Sequence, residues 1–382
     1  MEHPLLNEDH HLIRESVRDF AEREIKPLAK ELDDKQQFSV ELTHKMGEIG
    51  LFGMLVSQEY GGQGMDYLSY IIAVEELARI DSSQAATIAA GNSLGLNPIY
   101  YYGTEEQKRK YLPVLCTGKQ LWGFGLTEPN AGSDSRNSKT FAKLADGKWT
   151  INGSKIFITN ASSEISLGST VQCVSGENGK DKEFTAIIVE NGTPGFIAKT
   201  MHDKMMWRAS NTAELYFDEC TVPEGNVLGK RGEGSKIMLS TLDCGRLSIG
   251  AMGLGLAQGA FELALSYAQE RVQFGKPISK QQAVAFKLAD MALKVELARN
   301  LLYKACWLKD HDKPFALEAA MSKLYCSEVA QQVANEAVQI HGGYGLMKDY
   351  DIERLYRDQR LLQIGEGTSE IQRLVISRYI GC

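Results

Sequence analysis

Apolar positions near the start of the chain recur every three or four residues. Ile13, Val17, Phe20, Ala21, Ile25 and Leu28 share one face, which predicts an amphipathic helix. SYIIAVEELARI and GTEEQKRKYLPVL predict two more, the second stopping before Pro113, whose ring cannot continue a helix. Near Leu121 the period changes. WTINGSKIFIT sets Asn152-Gly153 between two apolar runs, which predicts a type I′ hairpin because that pair accepts positive φ. EFTAIIVE, TPGFIAKTM and AELYFDECTV predict further strands. From about Ser235 the helical period returns in three long segments, and Gly342-Gly343 stands where the last of them needs a C-cap. The pattern predicts an α+β chain in three parts: helices over residues 1–120, a β domain over 121–234 and a helical bundle over 235–382.

Composition narrows the class. An apolar share of 43% and a charged share of 24% over 382 residues describe an ordinary globular chain of two or three domains. A net charge of −7 argues against general nucleic-acid binding. No uninterrupted apolar run reaches a membrane span, and the N-terminus has neither a signal peptide's apolar segment nor a transit peptide's arginines. Seven scattered cysteines without a CxxC suit a reducing compartment, which points to a bacterial or archaeal cytoplasm or a processed organelle protein.

Some motifs carry little. GNSLG (91–95) has the spacing of a hydrolase nucleophile elbow around Ser93, but its surroundings read as helix, not as strand and turn. GKRGEGSK (229–236) lacks the phosphate-loop order and reads as a surface turn. No GxGxxG follows a strand, so a nicotinamide Rossmann domain is not expected. His10-His11, the one close histidine pair, reads as part of a solvated helix.

GFGLTEPNAGSDS (123–135) is different. Its glycines and hydroxyls can lay backbone N–H groups against a flat ring or a phosphate, although by composition it is equally a polar loop. With INGSKIFITNA, ERVQFGKPI, QIHGGYG and IGEGTSEIQR it forms an ordered set that resembles the acyl-CoA dehydrogenase family along essentially the whole chain. The resemblance implies a barrel-like β domain, a C-terminal four-helix bundle, FAD, an acyl-CoA thioester substrate, a homotetramer built as a dimer of dimers, and an electron-transferring flavoprotein as acceptor. It implies that Phe124, Leu126, Thr127 and Ser133 line the flavin and inner acyl-CoA site. Phe157 and Thr159 match the segment that covers the isoalloxazine. Arg271, Phe274, Gln339, Gly342 and Gly343 match elements that meet FAD from a neighbouring subunit. Thr368 matches a contact to the FAD pyrophosphate, and Asp243, Arg246 and Gly367 match positions that meet the substrate. Each residue also has an ordinary reading: Arg271 as a helix-end charge, Gly342-Gly343 as a C-cap.

The chemistry implied is removal of a weakly acidic hydrogen alpha to a thioester, which needs a base on carbon and stabilisation of the enolate oxygen. Glu366, in IGEGTSEIQ, matches the family's base. Its ordinary reading is a first-turn carboxylate of the last helix, yet Thr368 and Ser369 are better cap residues. Relatives that place the base before the arginine matching Arg246 have a carboxylate where this chain has Gly245. Burial of Glu366 is expected to raise its pKa. Two departures bear on the acyl group. Gly365 replaces the family's common tyrosine, and Gly245 is expected to leave space on a facing helix, so a branched, cyclic or otherwise bulky acyl group becomes plausible beside a straight butyryl chain. Trp207 is larger than the residues usual in its segment. No arginine among residues 91–103 is placed to pair a dicarboxylate. Other readings are an enoyl-CoA reductase working in reverse, an acyl-CoA thioesterase using Ser93, and a flavin or acyl-CoA carrier without turnover.

Overall fold

The computed structural model describes residues 3–178 and 181–382. Helix α1 (Glu8–Phe20) starts at a capping box: Asn7 Oδ1 accepts the His10 N–H at 3.0 Å, and His10 Nδ1 accepts the Asn7 N–H at 3.1 Å. His10 is consequently buried, with Nε2 3.0 Å from Asp66, and does not lie on a solvated face. A π-helical stretch leads into α2 (Lys26–Lys35), followed by α3 (Val40–Glu48), α4 (Tyr67–Ile80), α5 (Ser82–Ala89), α6 (Asn97–Tyr102) and α7 (Glu105–Leu115). Helix α4 is buried along its whole length. Helix α7 runs through Pro113 instead of stopping before it. The proline sits in the final turn, where the carbonyl left without a partner belongs to Arg109 on the solvated face.

One sheet follows: β1 (Leu121–Gly125), β2 (Phe141–Ala145), β3 (Lys148–Thr159), β4 (Ser166–Asn178), β5 (Asp181–Glu190), β6 (Phe196–Thr200), β7 (Thr212–Pro223) and β8 (Val227–Leu228). Its order is β6-β7-β3-β2-β4-β5-β8, with β1 parallel to β4. Trp149, Ile151, Val171, Ile187, Leu215 and Phe217 form its apolar core. The hairpin expected at Asn152-Gly153 is absent. Strand β3 passes straight through that pair, opposite a bulge in β7 where Asp218 and Glu219 face Asn152 alone. Asn152 stabilises the bulge by accepting the Glu219 N–H at 2.9 Å and donating to the Glu219 carboxylate at 2.8 Å. The true hairpin turn is Asp146-Gly147, with φ of 51° and 71°, joining β2 to β3.

The remainder is α8 (Gly234–Glu270), a short hairpin of β9 (Val272–Gln273) and β10 (Lys276–Pro277), then α9 (Gln282–Asp310), α10 (Ala316–His341), α11 (Ile352–Leu362) and α12 (Ser369–Ile380). Helix α8 is the axis of the molecule, packed on α10 and α4. A methyl group at Gly255 would overlap the Glu75 carbonyl of α4, so only glycine permits this approach. By composition α8 is long and apolar enough to cross a bilayer, but 78% of its most apolar window is buried inside the bundle, which makes it a core helix. Helix α10 ends at Gly342 with φ 60°, in the capping position read from the sequence. Trp207 has its ring buried in the helical core, and its backbone N–H donates to Asp358 of α11 at 2.8 Å.

Candidate active site

Residues 363–368 connect α11 to α12 and carry Glu366. The turn is closed by the Ser369 N–H donating to the Gln363 carbonyl at 3.0 Å. Thr368, not Glu366, caps α12: its Oγ1 accepts the Ile371 N–H at 3.3 Å. Glu366 and Gly367 both have positive φ, 53° and 94°. A glutamate in that region is strained, and such strain collects where a side chain must be aimed.

The turn aims the Glu366 carboxylate at α8. A methyl group at Gly245 would overlap Glu366 Oε2. The space expected beside Gly245 is therefore filled by the carboxylate itself and does not enlarge a pocket. At Gly365 an added Cβ would make ordinary contact with Leu361, at 3.6 Å or more. Glu366 Oε2 is sealed from solvent and has no hydrogen-bond partner among the described residues. Burial pushes the carboxyl up to about 7, against the pull of Lys323 and Arg246, which favour its charged form. The Glu366 N–H likewise finds no acceptor among the described residues.

Arg246 and Asp243 form an ion pair on one face of α8. The pair is partly buried; burial raises the Asp243 carboxyl and Arg246 opposes the rise. Arg246 therefore stands close enough to act on Glu366. Lys323 of α10 and Gln372 of α12 were not singled out by the sequence reading. The Lys323 ammonium donates to the Gly367 carbonyl at 2.7 Å, and the Gln372 amide to the same carbonyl at 2.9 Å. The available signal was a lone lysine inside the apolar stripe of α10, between Ala320 and Cys326.

The second group lies on the β domain. Lys155 of β3 is buried and donates to Glu128 at 2.8 Å and to the Leu126 carbonyl at 3.2 Å. The Ile156 N–H donates to the Thr127 carbonyl at 2.9 Å. These bonds fasten the 126–128 stretch to β3 next to Phe157, whose φ of 63° turns its ring outward to 62% exposure. Thr159 is half-buried and Ser133 exposed, whereas Phe124 and Leu126 are buried and pack with Trp122 and Leu115.

A third group stands apart. Gln339 is roughly 24 Å along α10 from Lys323. It lies with exposed Gly342 and Gly343, and Tyr344 receives the Arg271 guanidinium over its ring at 5.6 Å. Phe274, at the tip of the β9–β10 hairpin, is 94% exposed. One chain does not bring these residues to Glu366. Ser93 has no catalytic setting: it is buried in a π-helical turn and donates to the Ala89 carbonyl at 2.6 Å.

Glu366 thus stands among α8, α10, α12 and Tyr70 of α4, a buried carboxylate with no hydrogen bond among the described residues. Comparisons agree along the chain. Models of the acyl-CoA dehydrogenase N-terminal, middle and C-terminal domains match residues 7–119, 123–220 and 232–381. The chain is 49% identical to the probable acyl-CoA dehydrogenase YngJ of Bacillus subtilis, covering 98% of each. It superposes on butyryl-CoA dehydrogenase from Megasphaera elsdenii with a TM-score of 0.95 at 43% identity, covering 100% of each chain. A chain from a structure of the electron transferring flavoprotein of Acidaminococcus fermentans gives 0.95 at 45% identity, again covering 100% of each. The chain belongs to the acyl-CoA dehydrogenase family. It is an oxidoreductase, and its cofactor is FAD. The residues present fit a flavin: an outward aromatic ring at Phe157 beside Thr127 and Thr159, and open space among the described residues where a Cβ at Gly132 would point.

Proposed function

We propose that Glu366 removes the α-proton of a bound acyl-CoA, giving the 2-enoyl-CoA. The observation that carries this reading is the carboxylate itself, sealed against α8 without a hydrogen-bond partner and with its pKa pushed up to about 7. A base that satisfied its lone pairs internally would have little tendency to take a proton from carbon. The unpaired Glu366 N–H is free to donate to the thioester oxygen, where charge develops as the proton leaves. The chain supplies the base, the oxyanion donor and the walls; FAD, when bound, accepts the β-hydrogen as hydride. Asp243 and Arg246 would meet the CoA portion of the substrate from α8.

The acyl group on this reading is short, with room for a branch beside Gly365, where a side chain is missing and only Leu361 is near. A straight butyryl-type chain is the second reading, favoured by the name of the Megasphaera elsdenii neighbour and by the filled space at Gly245. The exposed Phe274, and the exposed Phe286, Leu293 and Leu297 along α9, support a homotetramer in which Arg271, Phe274, Gln339, Gly342 and Gly343 serve a neighbour's FAD. The similarity to a chain studied with an electron transferring flavoprotein supports such a protein as electron acceptor.

Anaerobic mixing of the FAD-loaded protein with straight, branched and cyclic acyl-CoAs tests both parts. Wild type bleaches its flavin, and Glu366→Gln slows bleaching by about 10²–10⁴-fold. Branched short acyl groups bleach at least as fast as butyryl-CoA. A Glu366→Gln protein that bleaches at the native rate removes the base assignment. A protein that bleaches with straight chains only removes the branched reading, and one that never bleaches is a carrier.

A further inference from the structure

Lys323 lies in the middle of the buried stripe of α10, with no exposed surface. A buried ammonium ordinarily takes a carboxylate as partner. Lys323 makes no ion pair among the described residues, although Glu366 is the negative charge that acts on it most strongly. Its Nζ goes instead to the Gly367 carbonyl at 2.7 Å. Gln372 donates to that carbonyl at 2.9 Å and to the Glu366 carbonyl at 3.2 Å. Donors from two helices thus converge on the two left-handed residues that aim the carboxylate.

The charges around the pair are few. Lys323 from α10 and Arg246 from α8 face Glu366, and Asp243 offsets Arg246. Tyr70 from α4 and Cys244 from α8 face it as neutral groups, both held protonated by burial. Glu370 of α12 and Glu328 of α10 act on Lys323 from the outer side.

We propose that Lys323 is a positioning residue for α-proton transfer. Its ammonium pins the Glu366-Gly367 turn through the Gly367 carbonyl and, by standing off the carboxylate instead of pairing with it, limits how far burial raises the proton affinity of the base. The proposal rests on the reading of Glu366 as that base. A lysine in direct contact would make the carboxylate too weak a base; a neutral side chain would leave it protonated at neutral pH.

The test is the pH dependence of anaerobic flavin bleaching in FAD-loaded Lys323→Met, Lys323→Gln, Gln372→Leu and Glu366→Gln proteins. Both Lys323 variants are expected to move the acidic limb up by about one unit, slowing bleaching about tenfold below it, and to level off above it at a lowered rate like that of Gln372→Leu, having lost the bond to the same carbonyl. Gln372→Leu removes hydrogen bonds without charge, so it slows bleaching evenly and leaves the limb in place. Lys323 variants that keep the native limb, whatever their rate above it, overturn the proposal. Loss of FAD from both variants assigns Lys323 to the fold and overturns it too. Should Glu366→Gln bleach at the native rate, the base reading itself falls; should it be inactive while Lys323→Met is native throughout, only the role of Lys323 falls.

Discussion

Glu128 and Glu366 are both withdrawn from water, and each has a buried lysine beside it. The two pairs are built in opposite ways. Glu128 accepts the Lys139 N–H at 2.6 Å, the Thr140 N–H at 3.0 Å and the Lys155 ammonium at 2.8 Å. Burial alone raises its carboxyl, but these donors overrule burial and leave it below the ordinary glutamate range. Glu366 has an oxygen with no donor, and its lysine is turned to the backbone. Burial then wins, and the carboxyl sits at about 7. The residue types match; the hydrogen-bond inventory differs. A satisfied buried carboxylate fastens a loop, whereas an unsatisfied one is left with chemistry to do.

Breaking the Lys155–Glu128 pair has the largest expected effect on the fold. Lys155→Met leaves Glu128 charged and short of a donor, and releases the Leu126 carbonyl. A loss of about 3–5 kcal/mol is expected, read as a lower unfolding midpoint and weaker FAD retention. A loss below about 1 kcal/mol would mean that the backbone donors alone hold Glu128.

Gly245→Ala sharpens the contrast from the other side. The added methyl overlaps only the end of the Glu366 side chain, which can swing away, so the fold survives. The carboxylate is displaced by about an ångström, for which a hundredfold loss in bleaching rate is expected with normal FAD content. An unaltered rate would show that the packing of Oε2 against α8 is incidental.

The smallest effect concerns pH and stability. The Glu366 carboxyl is raised from 4.5 to about 7 in the folded chain. Between those values the folded state binds more protons than the unfolded state, so stability falls as pH rises through the window. Above it the folded chain carries an ionised, unpaired carboxylate that Glu366→Gln removes. The variant is expected to gain stability over wild type on the order of 1 kcal/mol at about pH 8 and little at about pH 5, since Glu366 is sealed at Oε2 but only partly buried as a whole. A gain equal at both pH values would mean that the carboxylate is not desolvated.

The helical parts were legible in the sequence because their apolar stripes are long. The β domain was legible as strands but not in its turns. Asn152-Gly153 carries the stronger hairpin signal, yet β7 offers a partner long enough to run past it, and the weaker Asp146-Gly147 makes the turn. Glu366 stood out only with the motifs around it, since a lone carboxylate between glycines is equally a helix-end residue. Thr368 was correctly legible as the cap. Lys323 was invisible for a physical reason: one lysine in an apolar stripe does not show in sequence whether its ammonium snorkels to water or turns inward. The filling of the Gly245 space was equally hidden, because it depends on a turn 121 residues later in the chain.

Proton removal can be isolated from hydride transfer by using an acyl-CoA thioester that has α-hydrogens but no β-hydrogen. Incubated in deuterium oxide with the FAD-loaded protein, such a thioester can exchange but cannot be oxidised, and mass spectrometry counts the deuterons gained. Wild type is expected to exchange the α-position, and Glu366→Gln to leave it unexchanged with its FAD still bound. Exchange by Glu366→Gln at the wild-type rate would contradict the account, because the α-proton would then be leaving to another base.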